Sequence, residues 1–230
     1  MAFSFSPKIT ISGLVFCLDA ANTKSFSVGS TTWNDLSISS KNSSLINSPT
    51  YNSSNMGYLN FTSSGTQYAS APSLGNLPTW TVETFVRFTS NYSSKVAMVV
   101  GGQYDLSSNL NFSIGTNNSP SNFNIAVGFF DGSWHNTNGV NYPLNTWVHI
   151  TGTYDGTVIK QFTNGVEIQS LNYVGTPSSG GEIRINRRWD DVVTSGNFFD
   201  TNISVVRIYN RALSTLEILQ NYNTIKGRFI

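Results

Sequence analysis

Two short segments of the chain place a tryptophan among polar and charged side chains. The first is Asp131-Gly132-Ser133-Trp134-His135-Asn136, which is predicted to be a polar turn, and the second is Arg187-Arg188-Trp189-Asp190-Asp191. An aromatic ring can pack against the apolar face of a ligand while neighbouring polar groups fix the ligand's orientation. The candidate residues for binding a glycan or a protein partner are Trp134, His135, Asn136, Arg187, Arg188, Trp189, Asp190 and Asp191. In the alternative interpretation, both tryptophans close the ends of the fold, and the arginines and aspartates pair with one another.

The acidic residues lack the spacing of a catalytic pair. Glycoside hydrolysis uses two carboxyl groups roughly 5 to 9.5 Å apart, and alternate residues on a strand provide such a separation. None of the four glutamates has an acidic residue two or four positions away: Glu83, Glu167, Glu182 and Glu217. Asp190 and Asp191 are adjacent, so on a strand they would point to opposite faces. We therefore expect no catalytic residue and no enzymatic activity.

Charge is scarce along the whole chain. Among 230 residues there are 13 Lys plus Arg and 12 Asp plus Glu, which is 11%, whereas an ordinary soluble domain carries about 25%. Small polar residues replace charge, with 33 Ser, 23 Thr and 27 Asn. A net charge of +1 provides no field that attracts nucleic acid or an anionic membrane. No apolar run approaches the roughly 18 residues of a membrane span, so neither class of partner is expected.

The N-terminus and the single cysteine add two further expectations. Residues 1–8 lack the cationic start and apolar stretch of a signal peptide. Cys17 lies inside the apolar run from Leu14 to Leu18, where a cysteine is usually a small buried hydrophobe. No C-x-x-C spacing is present. We expect an unpaired, buried thiol, no metal site and no cofactor.

The elements that must position the candidate residues are strands. Asp155-Gly156 and Asn164-Gly165 are strong hairpin signals, and they predict an antiparallel meander of strands 146–154, 157–163 and 166–171. Trp80 and Trp33 are predicted core residues, and His149 is predicted to pack within its strand. The other predicted strands are 12–19, 57–61, 66–70, 80–88, 96–101, 110–115, 122–130, 182–186 and 203–209. The sequence predicts a single all-β domain over 11–230, preceded by an arm over 1–10.

One helix is predicted near the end of the chain. Ser214-Thr-Leu-Glu217 has the spacing of a capping box, with Leu213 and Ile218 at the hydrophobic-staple positions around it. Leu216, Leu219 and Tyr222 follow at near-helical spacing, and Gly227 is a plausible stop. We expect a short helix that packs on the edge or end of the β-structure.

Several of these motifs resemble the laminin-G-like, concanavalin A-like lectin/glucanase domains. They are Trp147-x-His149, Tyr154-Asp-Gly156, Phe162-Thr-Asn-Gly165 and the run from Val206 to Ile218. The opening over 13–22 and 32–37, and the ending over 217–229, look like those of such domains in tailed-phage virion proteins. The resemblance covers roughly residues 11 to 229 and implies a two-sheet antiparallel jelly-roll sandwich.

The resemblance raises two further kinds of site. Glucanases with this fold carry a cluster of carboxylates on one strand, which this sequence lacks. Several laminin-G-like domains bind calcium through loop carboxylates, and Asp190, Asp191 and Asp200 are the candidates here. Asn202-Ile-Ser-Val205 stands where many relatives carry an Asp-Glu pair before the last strand, so local acidity is low. Neither hydrolysis nor calcium binding is expected.

Two functions remain open at this point. The first hypothesis is a virion structural protein, a capsid decoration (cement) protein on the phage head. Its partners would be the major capsid protein, other virion proteins and its own copies in a homo-oligomer. Its location would be the virion, after synthesis in the host cytoplasm. The alternative is a carbohydrate-binding, lectin-like adhesion module of a phage tail or a cell surface.

Overall fold

Strands dominate the computed structural model, which describes residues 8–102, 110–116, 124–177, 181–191 and 193–229. In chain order the strands are β1 (Leu14–Asp19), β2 (Thr32–Trp33), β3 (Ser43–Ile46), β4 (Thr50–Asn52), β5 (Tyr58–Phe61), β6 (Tyr68–Ala71), β7 (Trp80–Phe88), β8 (Met98–Gly102), β9 (Leu110–Thr116), β10 (Ile125–Phe130), β11 (Trp134–Asn136), β12 (Val148–Tyr154), β13 (Val158–Thr163), β14 (Val166–Asn172), β15 (Ile183–Ile185) and β16 (Thr201–Tyr209). Each long predicted strand corresponds to one of these. The short strands β2, β3, β4 and β11 were not predicted, and residues 122 and 123 of the strand predicted over 122–130 lie outside the described part of the chain.

The strands form two antiparallel sheets that pack face to face. Sheet A has the order β14-β13-β12-β7-β16-β5-β4, with β1 also paired to β16. Sheet B has the order β11-β10-β9-β8-β15-β6-β3-β2. The meander predicted from the two glycine turns is β12-β13-β14 at one side of sheet A. The all-β, jelly-roll sandwich predicted from the sequence is confirmed.

The core lies between the two sheets. Alternate residues of β7 face it, so Val82, Val86 and Phe88 are fully buried. The two tryptophans predicted for the core, Trp33 and Trp80, are also fully buried. The residues of β7 between these core positions point to the outer face of sheet A, where they are polar or covered by other elements.

The helix α1 (Thr215–Ile225) begins as predicted. The Ser214 hydroxyl accepts a hydrogen bond from the Glu217 N–H, and the Glu217 carboxylate accepts one from the Ser214 N–H at 2.9 Å. The helix ends at Ile225, two residues before Gly227, and a short 3-10 turn over Lys226–Arg228 follows.

The position of α1 corrects the prediction of an edge or end location. Ile218 packs against Phe162 and Tyr209, and Ile225 packs against Phe85 and Val205, all on the outer face of sheet A. The predicted apolar positions also need correction, since Leu216 is 78% exposed. The buried residues of the helix are Ile218, Asn221 and Ile225. They pack on the middle of the outer face of sheet A.

The predicted N-terminal arm lies mostly outside the described residues. Of its described part, Thr10 is buried and its N–H donates to the side-chain oxygen Oδ1 of Asn221 at 2.8 Å. Among the residues that the structure describes, no helix has the length and apolar character needed to cross a membrane. The boundary between arm and domain stays a prediction.

Candidate ligand-binding site on sheet B

The two tryptophan segments meet on the outer face of sheet B. In β11, Trp134 lies opposite Phe130 and Asn136 lies opposite Gly128, so both side chains point away from the core. The second segment follows β15 and brings Trp189 against Trp134. Their ring centroids are 4.9 Å apart and their planes are inclined by 64°, an edge-to-face contact of the kind that aromatic pairs favour. The first segment was predicted as a polar turn, but its last three residues form a strand.

Glycines beneath these side chains let them lie flat on the sheet. A Cβ atom on Gly128 would lie 2.1 Å from Oδ1 of Asn136, and one on Gly101 would lie 2.3 Å from the sulfur of Met98. Met98 and Trp189 are buried together, while Trp134 is partly exposed. The cavity left between them has a volume of about 10 Å³, enough for about one water molecule. A larger ligand would therefore bind on the surface of Trp134, not within a deep pocket.

The charged residues of the second segment pair mainly with one another, as the alternative interpretation proposed. Nε of Arg188 lies 2.9 Å from Oδ2 of Asp190, and Nη2 of Arg187 lies 3.5 Å from Oδ1 of Asp191. The Arg188 guanidinium also lies over the Trp189 ring at 4.8 Å. Arg188 and Asp190 stay partly exposed beside Trp189, so both can contact a ligand. Arg187 is buried against the ring of Tyr68 at 4.6 Å.

Arg184 organises this segment, although sequence reasoning missed it. It lies on the outer face of β15 and is only 1% exposed. Its Nε donates to Glu182 at 3.1 Å, its Nη1 donates to the carbonyls of Arg188 and Asp190, and its Nη2 donates to the Asp191 carboxylate. This last hydrogen bond lowers the pKa of Asp191. The signal in the sequence was the alternation Glu182-Ile-Arg-Ile-Asn186, which places an arginine on the polar face of a strand.

His135 does not join the site. Neighbouring residues on a strand alternate between faces, so its side chain points away from Trp134 and Asn136. Its Nε2 lies 2.8 Å from Oδ1 of Asp131, and its ring stacks on Tyr173 with centroids 3.5 Å apart. His135 is therefore part of the packing at the edge of the sandwich.

Each glutamate has a cationic partner, and none faces a second carboxylate in an open cleft among the described residues. The pairs are Glu83–Arg207, Glu167–Lys160, Glu182–Arg184 and Glu217–Arg211. Burial raises the pKa of Glu83, but Arg207 and His149 outweigh that effect and lower it to about 2. His149 is 1% exposed and stacks on Phe85, which confirms the prediction that it packs within its strand.

The calcium candidates are dispersed. Asp190 and Asp191 belong to the arginine cluster, whereas Asp200 accepts hydrogen bonds from Ser63 and Ser90. In the parts of the chain that the structure describes, no group of three or more His, Cys, Asp or Glu is placed to hold a metal ion. Cys17 is buried, and burial raises the pKa of its thiol to about 11, so the thiol is protonated at neutral pH.

The sequence of the described sandwich matches a known family. The family model described as the concanavalin A-like lectin/glucanases superfamily matches residues 62–219. The chain belongs to this superfamily. No curated protein sequence matches the chain.

Solved structures of the same fold come from proteins with different roles. Domain 4 of AbnA, a GH43 extracellular arabinanase from Geobacillus stearothermophilus in complex with arabinotriose, has a TM-score of 0.71 and 14% identity, over 93% of this chain and 100% of that one. The binding domain of Paraclostridial Mosquitocidal Protein 1 has a TM-score of 0.65 and 16% identity, over 91% of this chain and 52% of that one. Trypanosoma rangeli sialidase in complex with sialic acid has a TM-score of 0.65 and 14% identity, over 94% of this chain and 33% of that one. At these identities the likeness shows the concanavalin A-like fold alone.

Proposed function

We propose that this protein is a non-catalytic, lectin-like module that binds a carbohydrate on the outer face of sheet B. The observation that carries the proposal is the contact between Trp134 and Trp189, two residues from distant segments, on a solvent-facing sheet. The partly exposed ring of Trp134 offers a flat apolar surface to a sugar ring. Asn136, Arg188 and Asp190 lie around the two tryptophans and offer the donors and acceptors that sugar hydroxyls require.

The arrangement of the acids supports a binding role without catalysis. A glycosidase needs one carboxyl group that donates a proton and a second one across the scissile bond. Glu83 is fully buried beneath α1 and held ionised by Arg207. Glu217 caps the helix and pairs with Arg211. The arabinotriose complex of a domain with the same fold favours the same assignment.

The proposal is tested by calorimetry with a panel of neutral oligosaccharides that includes arabinotriose. Trp134→Ala is expected to weaken binding roughly fivefold, because an aromatic contact contributes on the order of 1 kcal/mol. Tyr222→Ala is the matched control, since Tyr222 is a partly exposed aromatic residue of α1 on the sheet A side, and it is expected to bind like the wild type. The proposal is wrong if no oligosaccharide of the panel binds, or if Trp134→Ala binds as tightly as the wild type.

A second candidate function is the virion structural protein, a capsid decoration (cement) protein located in the phage particle. The observation that favours it is the outer strand of sheet A, β14, which pairs only with β13 among the described strands. Val166 on this strand is 61% exposed and Ile168 is 40% exposed. An open, weakly charged strand edge is suited to pairing with capsid subunits or with a second copy of the chain.

Two measurements decide this second candidate. Mass spectrometry of purified particles is expected to find the protein in many copies if it decorates the head and in few if it belongs to the tail. Its absence from particles rejects the virion assignment. For self-association through β14, Ile168→Lys is expected to shift an oligomer to monomer in light scattering, whereas Leu216→Lys on the exposed face of α1 should leave it unchanged.

A further inference from the structure

The part of sheet A that α1 leaves open carries a second polar and aromatic surface. Across this outer face, Thr50 lies opposite Asn60, Asn60 lies opposite Asn202, and Asn202 lies opposite Arg87. Trp147 directly precedes Val148, which lies opposite Val86, so it continues the same row on the next strand. This row is on the opposite side of the sandwich from the tryptophans of sheet B.

Within the described part of the chain, the groups that hold Arg87 in place are all uncharged. Its guanidinium carbon lies 5.4 Å from the ring centre of Tyr58 and 5.2 Å from that of Trp147. Its Nη2 donates to the Tyr58 hydroxyl at 3.3 Å. With the amide of Asn202 in the orientation that satisfies both its atoms, its oxygen accepts from Nε at 3.0 Å and from Nη2 at 2.8 Å, and its nitrogen donates to Asn60 at 2.8 Å.

Arg87 differs from the other arginines in the groups that face its guanidinium in the described structure. The chain has seven arginines, and six of them face a carboxylate within 4.0 Å: Arg184, Arg187, Arg188, Arg207, Arg211 and Arg228. Among the described residues Arg87 has no such partner, and its Nη1 makes no hydrogen bond with them. Because the six other arginines each face a carboxylate, an ordered and partly exposed guanidinium that faces none in the described part of the chain favours a partner from outside the chain.

We propose that Arg87 is the centre of a second binding site that takes a carboxylate-bearing saccharide of the uronic acid type. The planar guanidinium fork matches the geometry of a carboxylate, and the rings of Tyr58 and Trp147 fix its orientation before the ligand arrives. Trp147, which is partly exposed, provides an apolar surface for the sugar ring. The side chains of Asn60 and Thr50 lie along the same row, within reach of the sugar hydroxyls. This site is separate from the sheet B surface and does not depend on it.

Calorimetry with trigalacturonate and its fully methyl-esterified form at low salt tests the charge requirement. The two probes differ in the carboxylate, so the acid is expected to bind at least about tenfold more tightly than the ester. Low salt is used because screening weakens a partly exposed charge pair. Equal binding of the two probes, or no binding of trigalacturonate, overturns the proposal.

Two substitutions then assign the charge requirement to Arg87. Asn202→Asp is nearly isosteric and places a carboxylate against the guanidinium, so it is expected to reduce trigalacturonate binding at least about tenfold while the fold is retained. Arg87→Lys keeps the charge but loses the planar fork, and an intermediate loss is expected. Thermal unfolding monitored by circular dichroism shows that each variant is folded. Wild-type affinity in Asn202→Asp overturns the proposal.

A third variant separates this proposal from the function proposed for sheet B. Trp134→Ala lies on the other sheet and is expected to leave trigalacturonate binding unchanged. Loss of that binding in Trp134→Ala would place the acidic ligand on sheet B and overturn the assignment to Arg87. The neutral panel tests the sheet B site independently, so the two proposals can fail separately.

Discussion

The outer faces of the two sheets differ in whether their charged and aromatic side chains are covered. On sheet A, Glu83, His149 and Arg207 lie together with contacts of 2.7 and 3.4 Å, but α1 covers them and all three are buried. On sheet B, Trp134 has no helix above it and stays partly exposed. The cluster of titratable side chains on sheet A is therefore buried and structural, while the candidate site with the two tryptophans lies on sheet B.

The difference arises from what each face is covered with. Beneath α1, Asn221 donates to both oxygens of Glu83 at 3.2 Å and to the Tyr209 hydroxyl at 2.9 Å. The helix thus supplies a polar partner as well as apolar contacts, which is what burial of a charge pair requires. On sheet B the buried Arg184 is covered by the loop that follows its own strand, and Trp134 is left partly exposed at the surface. Accessibility, more than residue type, separates the candidate binding surfaces from the region that α1 covers.

Breaking the covered cluster should have the largest effect on stability. Glu83→Gln leaves Arg207 buried with no counter-charge, so the free energy of unfolding at pH 7 is expected to fall by about 3 to 5 kcal/mol. The measurement is urea denaturation followed by fluorescence. Glu167→Gln is the control, because its pair with Lys160 is partly exposed and the expected loss is under about 1 kcal/mol. A similar small loss for Glu83→Gln would contradict a structural role for the cluster.

The two tryptophans of sheet B should separate stability from binding. Trp189 is 8% exposed and packs on Met98, so Trp189→Ala is expected to lower the free energy of unfolding by about 3 kcal/mol through the cavity it creates. Trp134 is partly exposed, and Trp134→Ala is expected to cost about 1 kcal/mol while it weakens glycan binding. Denaturation and calorimetry on the same two variants check this. Equal losses of stability would mean that both tryptophans only close the sheet.

The sequence predicted the secondary-structure elements more completely than the long-range contacts between them. The glycine turns at Asp155-Gly156 and Asn164-Gly165 and the capping box at Ser214 are local signals, and each is confirmed. The buried side of α1 was not predictable, because Asn221 is buried through a carboxylate on a strand 138 residues away. Local patterns fix turns and caps, whereas a polar residue is buried only when a distant residue satisfies it.

The candidate site shows the same limit. Trp134 and Trp189 were both selected from their neighbours in sequence, but their contact depends on the strand order of sheet B, where β15 lies next to β8 and β6. Arg184 was missed because an arginine on a strand is expected to be exposed. The prediction that His135 belongs to the site did not account for alternation along β11, because the sequence there predicts a turn and not a strand.

Acid should destabilise the protein through the covered face. The pKa of Glu83 is lowered to about 2 in the folded state, below its ordinary value of 4.5. Its stabilising contribution is therefore complete above about pH 4.5 and is lost as the pH falls towards 2, by on the order of 3 kcal/mol. Denaturation at several pH values measures this slope. Glu83→Gln lacks the carboxyl and should show a shallower slope, and an equal slope would assign the effect to other groups.

Removal of the N-terminal cap of α1 is expected to have the smallest effect on stability. Ser214→Ala removes the hydroxyl that accepts the Glu217 N–H, so the free energy of unfolding is expected to fall by about 1 kcal/mol. Because α1 covers only sheet A, hydrogen exchange should increase at Phe85 and Tyr209 beneath the helix and stay unchanged at Ala126 and Gly128 on sheet B. Glycan binding should be retained, because the site on sheet B does not contact the helix. If exchange rises equally on both sheets, the two faces are coupled, and the division between the region that α1 covers and the binding surface of sheet B is wrong.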